Sequence, residues 1–276
     1  MFLKDSFRNK LNGQANSGLP IAHAILWATT LDQAWEIICQ GMEQLGFDRL
    51  LYGRTHFVAG KNLGDEQDYM ILSNHDPEYF DAFVKKGGFK VSPFYVWTWD
   101  NTGFISWSKT EELRLSEKAI QEALKIQALN AKHDVNAGFT ASFPNSITGH
   151  KSAAAVCATK GISQEEVDSI LESSRVEIET IWLAFDFKAR SLPFPNAEKR
   201  LTARQLEVMQ WYAKGKTATE IATILNVNPS TIEKHLRLSR EALNVVNSSQ
   251  AVTKLTFLNQ LFIDKDVEAE VRSRIE

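Results

Sequence analysis

Four side chains near the C-terminus recur at a spacing that puts them on one row of a helix. They are Ser230, Lys234, Arg237 and Glu241, at i, i+4, i+7 and i+11. An arginine so placed can hold guanine through two parallel N–H bonds, and a lysine reaches a base edge or a phosphate. Glu233 can accept from cytosine N4 or turn phosphate away. Thr231 and His235 lie on the same helix, and Thr217 opens the helix before it. The expected DNA-binding set is therefore Thr217, Ser230, Thr231, Glu233, Lys234, His235 and Arg237, facing the major groove of double-stranded DNA.

Local capping chemistry defines the helices that must carry this row. Thr202 and Gln205 form a capping box, as do Thr217 and Glu220. Gly215 offers a left-handed stop between the first two helices. Asn226, Val227 and Asn228 make a tight turn, and Pro229 sits at the first position of the third helix, where its missing N–H costs nothing. Asn244 ends that helix, where a left-handed residue is needed. Leu206, Met209, Ile221, Leu225, Ile232, Leu236 and Leu243 give the inward faces. A fourth helix over residues 248–262 exposes Leu255, Leu258 and Leu261 for a second copy to cover. Two short helices joined by so tight a turn form a helix-turn-helix.

The charge agrees with this reading. Between Lys199 and Val246 eight basic residues stand against four acidic ones, +4 within a chain of net charge −3, which leaves −7 elsewhere. A basic module on an acidic body is the electrostatic footprint of nucleic-acid binding. The 276 residues suit two domains. The polar N-terminus carries no signal-like run, and no apolar stretch approaches a membrane span, so a cytoplasmic protein without membrane contact is expected. Cys39 and Cys157 are two lone thiols without CxxC or His clustering, so neither a disulfide framework nor a metal site is expected. No GxSxG, HExxH, phosphate loop or carboxylate pair is present, so no catalytic residues and no cofactor are expected.

Upstream, residues 1–19 read as a flexible arm. Residues 21–45 read as one helix, 50–58 as a strand and 76–86 as a short helix. Residues 94–99 and 103–106 read as strands, 116–133 as an amphipathic helix capped by Ser116, 138–143 and 152–159 as strands, and 163–185 as a long helix. The prolines at 193 and 195 mark a linker. The domains expected are a sensor over 20–188, a linker over 189–199, a helix-turn-helix over 200–265 and a tail over 266–276. The fold class is α+β: an α/β/α sandwich around an antiparallel sheet, followed by an all-α four-helix domain. The elements do not alternate strand and helix as a phosphoacceptor domain would.

The run from Leu201 to Val252 resembles the LuxR-type helix-turn-helix almost end to end. Leu201, Thr202, Arg204, Gly215, Glu220, Ile221, Ala222, Leu225, Thr231, His235, Leu243, Val245 and Ala251 fit its pattern. Gln205 replaces the usual Glu and Asn244 the usual Gly, and both keep the capping physics. The resemblance implies a transcription regulator and a homodimer on a near-palindromic operator.

A weaker resemblance extends into the sensor, to the autoinducer-binding domains of quorum-sensing regulators, which enclose acyl-homoserine lactones. Residues 73–79, Phe83, Ser92-Pro93-Phe94, Trp107-Ser108 and Gly138-Phe139-Thr140 carry it. It implies a ligand set of Tyr52, His75, Tyr79, Phe83, Ser92, Trp107, Phe139 and Ala155. Phe57, Phe94, Trp97 and Trp99 add to the aromatic surroundings. Ser92 stands where the family places an aspartate that accepts from the ligand amide, Tyr79 where it places a tryptophan donor, and Ala155 near a usual Thr or Ser. The lost acceptor would weaken lactone binding about tenfold or more. Two readings follow: a small hydrophobic signal other than a standard acyl lactone, or a collapsed pocket under partner control or none.

Overall fold

The structure, a computed structural model, describes residues 18–58, 60–64, 66–113, 117–145, 149–193 and 201–262. The arm over 1–17, Ser116, most of the linker and the tail lie outside the described residues. The chain divides near Arg190 into two compact units.

The first unit is built on a five-stranded antiparallel sheet. Its strands are β1 (Phe47–Thr55), β2 (Met70–Ser73), β3 (Gly103–Ser106), β4 (Gly138–Ser142) and β5 (Lys151–Ala158), in the order β2-β1-β5-β4-β3. Its helices are α1 (Gly18–Trp27), α2 (Leu31–Gln44), α3 (Pro77–Phe80), α4 (Pro93–Thr98), α5 (Glu117–Lys132) and α6 (Gln164–Ser191). α3 runs on into a wide turn at Asp81–Lys85.

Alternation along the strands sends successive side chains to opposite faces. On one face Tyr52 packs with Phe185 and Phe143 with Trp182 of α6, while Phe139 beside them packs with Phe47, all of them fully or almost fully buried. The Tyr52 hydroxyl donates to Asp186 Oδ1 at 2.8 Å, and Arg190 pairs with the other oxygen at 2.6 Å. Arg54 donates to the Ala189 carbonyl at 2.9 Å. These bonds staple α6 to β1, and the aspartate has partners on both oxygens, as a buried charge requires. The opposite face carries α3 and α5, whose residues pack around Tyr79, Phe83 and Val135. The α/β/α sandwich is therefore as the sequence implied.

Several element assignments change. The single helix over 21–45 is two, α1 and α2, broken after Trp27, with the Ala28 N–H closing a tight turn on Ile25. Of residues 94–99, 94–98 are helix and Trp99 is its C-cap, although Phe94, Tyr95, Trp97 and Trp99 look strand-like by composition. Ser92, with φ −64° and ψ 128°, is the extended residue before Pro93, and proline at the first position starts α4. β2 went unread because four residues of an edge strand carry no usable alternation.

The second unit has α7 (Ala203–Ala213), α8 (Ala218–Leu225), α9 (Pro229–Leu243) and α10 (Ser248–Phe257). Both expected capping boxes are complete, and Asn247 with Gln250 forms a third at the start of α10. Gly215, Asn226 and Asn244 are left-handed at φ 82°, 52° and 53°. Asn228 holds the N-cap position of α9, but its side chain makes no capping bond. The core is Val208, Met209, Ile221, Ile232, Leu236, Leu243, Ala251 and Leu255 with their neighbours. Leu255, Leu258 and Leu261 are buried, not exposed as the helical reading of 248–262 implied. Leu255 and Leu261 fill the module's own core rather than a face for a second copy.

Candidate functional site

The sheet face opposite α6 borders a cavity of about 910 Å³. Six of the eight expected ligand residues line it: His75, Tyr79, Phe83, Ser92, Trp107 and Ala155. They come from separate elements. Ala155 on β5 sits in register with Leu51 on β1 and Thr140 on β4, a floor of small and medium side chains. His75, Tyr79 and Phe83 enter from α3 and its flanks as a stack, with ring centroids 4.6 and 5.3 Å apart. Ser92 comes from the N-terminus of α4, and Trp107 from the end of β3. Asp76 caps α3 by accepting from the Tyr79 N–H at 2.9 Å, which fixes the stack's starting point.

Tyr52 and Phe139 do not line it. Each lies one residue from a lining residue, Leu51 and Thr140, and so points to the α6 face. The expected ligand set left out Thr140, Asn130 and Leu51, which line the cavity. The signal for Thr140 was its even spacing from Gly138 on a strand with one face already assigned.

The polar groups of the cavity are largely engaged. Trp107 Nε1–H donates to Thr140 Oγ1 at 3.0 Å, and Tyr79 Oη–H donates to Asn130 Oδ1 at 2.9 Å. Gly138 makes the first contact possible: a Cβ there would lie 2.1 Å from the Val156 carbonyl and 2.9 Å from the Trp107 ring. Burial, then the charge of Arg49, holds His75 down at about 4, so its ring is neutral at pH 7. Ser92 offers a hydroxyl where no carboxylate is present, and its side chain makes no capping bond. Burial pushes the thiols of Cys39 and Cys157 up to about 12 and about 11, which leaves no thiolate for chemistry.

A smaller chamber of about 100 Å³ adjoins, with Leu51, Phe83, Ser92, Thr140 and Ala155 common to both. Its remaining walls include Ile71, Phe89, Tyr95, Ala153 and Lys151. Tyr95 belongs to the segment misread as strand, which hid it.

In the second unit, Ser230, Glu233, Lys234, Arg237 and Glu241 of α9 are exposed, while Thr231 and His235 are half-buried. The row of Ser230, Lys234, Arg237 and Glu241 is thus a solvent-facing stripe. Arg237 Nη1 bonds Glu241 Oε1 at 2.5 Å. Thr217 is exposed but committed to the α8 capping box. Not every basic residue is free for a partner: Arg204 bonds Glu207 at 2.7 Å and the Leu225 carbonyl at 3.2 Å, closing the end of α8. Arg240 bonds Ser248 Oγ at 3.0 Å. Among the described residues no group of three His, Cys, Asp or Glu could hold a metal, and no helix is long and apolar enough to cross a membrane.

Residues 30–185 match the family described as autoinducer binding domain, and residues 199–255 match bacterial regulatory proteins, luxR family. The transcriptional activator protein VanR of Vibrio anguillarum is 43% identical over 222 residues, which is 79% of this chain and 87% of that one. The transcriptional activator protein AnoR of Acinetobacter nosocomialis is 24% identical over 238 residues, 86% of this chain and 96% of that one. A crystal structure of Escherichia coli SdiA, 15% identical, aligns with 89% of this chain and 98% of that one at a TM-score of 0.48.

Proposed function

The chain belongs to the LuxR family of bacterial regulatory proteins with an autoinducer-binding domain, and on that premise we propose a division of labour between its two units. The chain is a DNA-binding transcription regulator of the quorum-sensing type. Its second unit reads DNA by laying α9 in the major groove, with Lys234 and Arg237 on base edges, Ser230 toward phosphate, Thr217 fixing the start of α8 beside it, and Glu233 selecting against mismatched partners. The protein acts as a homodimer on a near-palindromic operator with half-sites about one helical turn apart. Closed two-fold pairing is the commonest homo-oligomer arrangement; the buried Leu255, Leu258 and Leu261 lend it no support. The work is done in the cytoplasm, where the DNA is.

The first unit binds a small hydrophobic signal other than a standard acyl-homoserine lactone. One observation carries this: a roomy aromatic cavity in which the acceptor position is Ser92, a neutral hydroxyl. Ligand cavities run to about 300–1,000 Å³, and this one falls inside that range. A lactone amide buried against serine would be poorly paired, at a cost of about 1–3 kcal/mol.

A second reading, folding and DNA binding without ligand, has its own support. Tyr79 and Trp107 already spend their polar hydrogens on Asn130 and Thr140, so the site is internally satisfied. The volume of the cavity speaks against its having collapsed.

The test of the DNA half is selection from a random duplex library by the whole chain, with sedimentation of the bound species. A near-palindrome bound by two copies is expected. A single half-site bound by one copy at micromolar concentration would overturn the dimer.

A further inference from the structure

Two donors in the smaller chamber have no anion to meet. Lys151, at the start of β5, donates from Nζ to the Thr98 carbonyl and, at 3.0 Å, to Ser142 Oγ. An ammonium carries three N–H bonds, so one remains. Among the described residues no carboxylate pairs with it; Asp100, whose field reaches it, is held by Lys61 at 2.8 Å. Burial pushes the Lys151 ammonium down to about 8. Tyr95, on α4, packs edge-on to Phe89 with centroids 5.0 Å apart. Its Oη is buried and without a partner among the described residues.

Both side chains line the chamber of about 100 Å³, beside apolar walls such as Ile71, Phe83 and Phe89. A half-buried cation answered only by neutral oxygens and a buried unpaired hydroxyl each cost free energy. A group that accepts from both removes both costs. At about 30 Å³ for each water in the liquid, the chamber takes roughly three or four heavy atoms. It has room only for the end of a molecule whose body would lie among the rings of the larger cavity.

We propose that the ligand is an apolar small molecule ending in a carboxylate, and that the carboxylate sits on Lys151 Nζ and Tyr95 Oη. A plain alkyl tail in the same place leaves both donors unanswered. This deepens the reading of the cavity as the signal site, and rests on it.

Octanoate and methyl octanoate, matched except for the anion, are titrated calorimetrically into the whole chain and into Lys151→Met, Lys151→Gln and Tyr95→Phe. Thermal transitions report whether each variant is folded. Octanoate is expected to bind at least about tenfold more tightly than the ester, since hydrogen bonds to a charged group are the stronger ones. Both lysine variants are expected to erase that preference, and Tyr95→Phe to reduce it. An ester that binds as tightly as the acid, or a preference that survives in whichever lysine variant folds, overturns the carboxylate while leaving the cavity a receptor. Failure of both compounds to bind the unmodified chain overturns the carboxylate and the receptor reading together.

Discussion

Arg237→Ala isolates the base-reading assignment, because the two roles of that side chain differ in size. In the free protein its guanidinium pairs with Glu241 at 2.5 Å, and the two side chains are 54% and 57% exposed. An exposed i,i+4 pair is worth about 0.3–0.5 kcal/mol, so losing it changes folding stability by less than about 0.5 kcal/mol. A bidentate contact to guanine discriminates by about 1–3 kcal/mol. Breaking the ion pair to reach DNA subtracts its worth, which leaves about 0.5–2.7 kcal/mol, or about 2- to 100-fold in affinity. Glu241→Ala acts in the opposite sense: it frees the arginine and removes a negative charge near phosphates, for a gain of about twofold. Both are measured by anisotropy titration on a selected operator at one fixed salt concentration, since such affinities vary steeply with salt. The reasoning is refuted if Arg237→Ala binds within twofold of the parent with unchanged base preference. It is also refuted if Glu241→Ala weakens binding as much as Arg237→Ala, for the ion pair itself would then be the positioning device.

Ser92→Asp restores a charged acceptor on the cavity wall without a steric clash in φ, ψ, and should raise affinity for a straight-chain acyl lactone by about tenfold or more; a calorimetric titration showing no gain moves suspicion to the Tyr79–Asn130 bond. Tyr52→Phe removes the hydroxyl that holds Asp186, at about 1.5–3 kcal/mol. It should lower the melting temperature of the first unit yet leave ligand affinity unchanged, and a ligand effect would return Tyr52 to the cavity. His75 titrates at about 4 in the folded chain against an ordinary 6.5, so the folded state binds fewer protons than the unfolded one between those values. Its contribution to stability is complete above about 6.5 and is lost as the pH falls toward 4. The first unit's melting temperature should drop across that window, with His75→Asn flattening the drop; a melting temperature constant from neutral pH to that lower limit would contradict it.

The helix-turn-helix was legible because its boundaries are written in local chemistry. Thr202 with Gln205 and Thr217 with Glu220 form bonds three residues long, and the left-handed stops at Gly215 and Asn244 need only their own residue type. The sensor was legible as an architecture and, for six of its eight expected ligand residues, as a site. Which face of a strand a residue takes depends on register with its neighbours, and a slip of one position exchanges the faces. Tyr52 and Phe139 looked like ligand residues because they are aromatic, yet Leu51 and Thr140 beside them are the ones in the cavity. Residues 94–99 misled for a related reason: their aromatic content favours strand, and Pro93 decides otherwise. The exposure of Leu255 and Leu261 was misjudged because helical periodicity says which residues share a face, not which neighbour already covers it.

The most direct test of a signal-binding regulator is to ask what the purified chain carries. The whole chain is expressed in a host that makes no acyl lactones, in medium conditioned by its native organism, beside an Ala155→Phe variant that fills the cavity floor. Compounds released on denaturation are identified by mass spectrometry. The account predicts one apolar compound, near one per chain, that is not a straight-chain acyl lactone, is absent from the variant, and changes the parent's operator affinity when added back. An acyl lactone released in that amount would contradict the reading of Ser92, and no released compound with identical operator binding by both proteins would contradict the sensor itself.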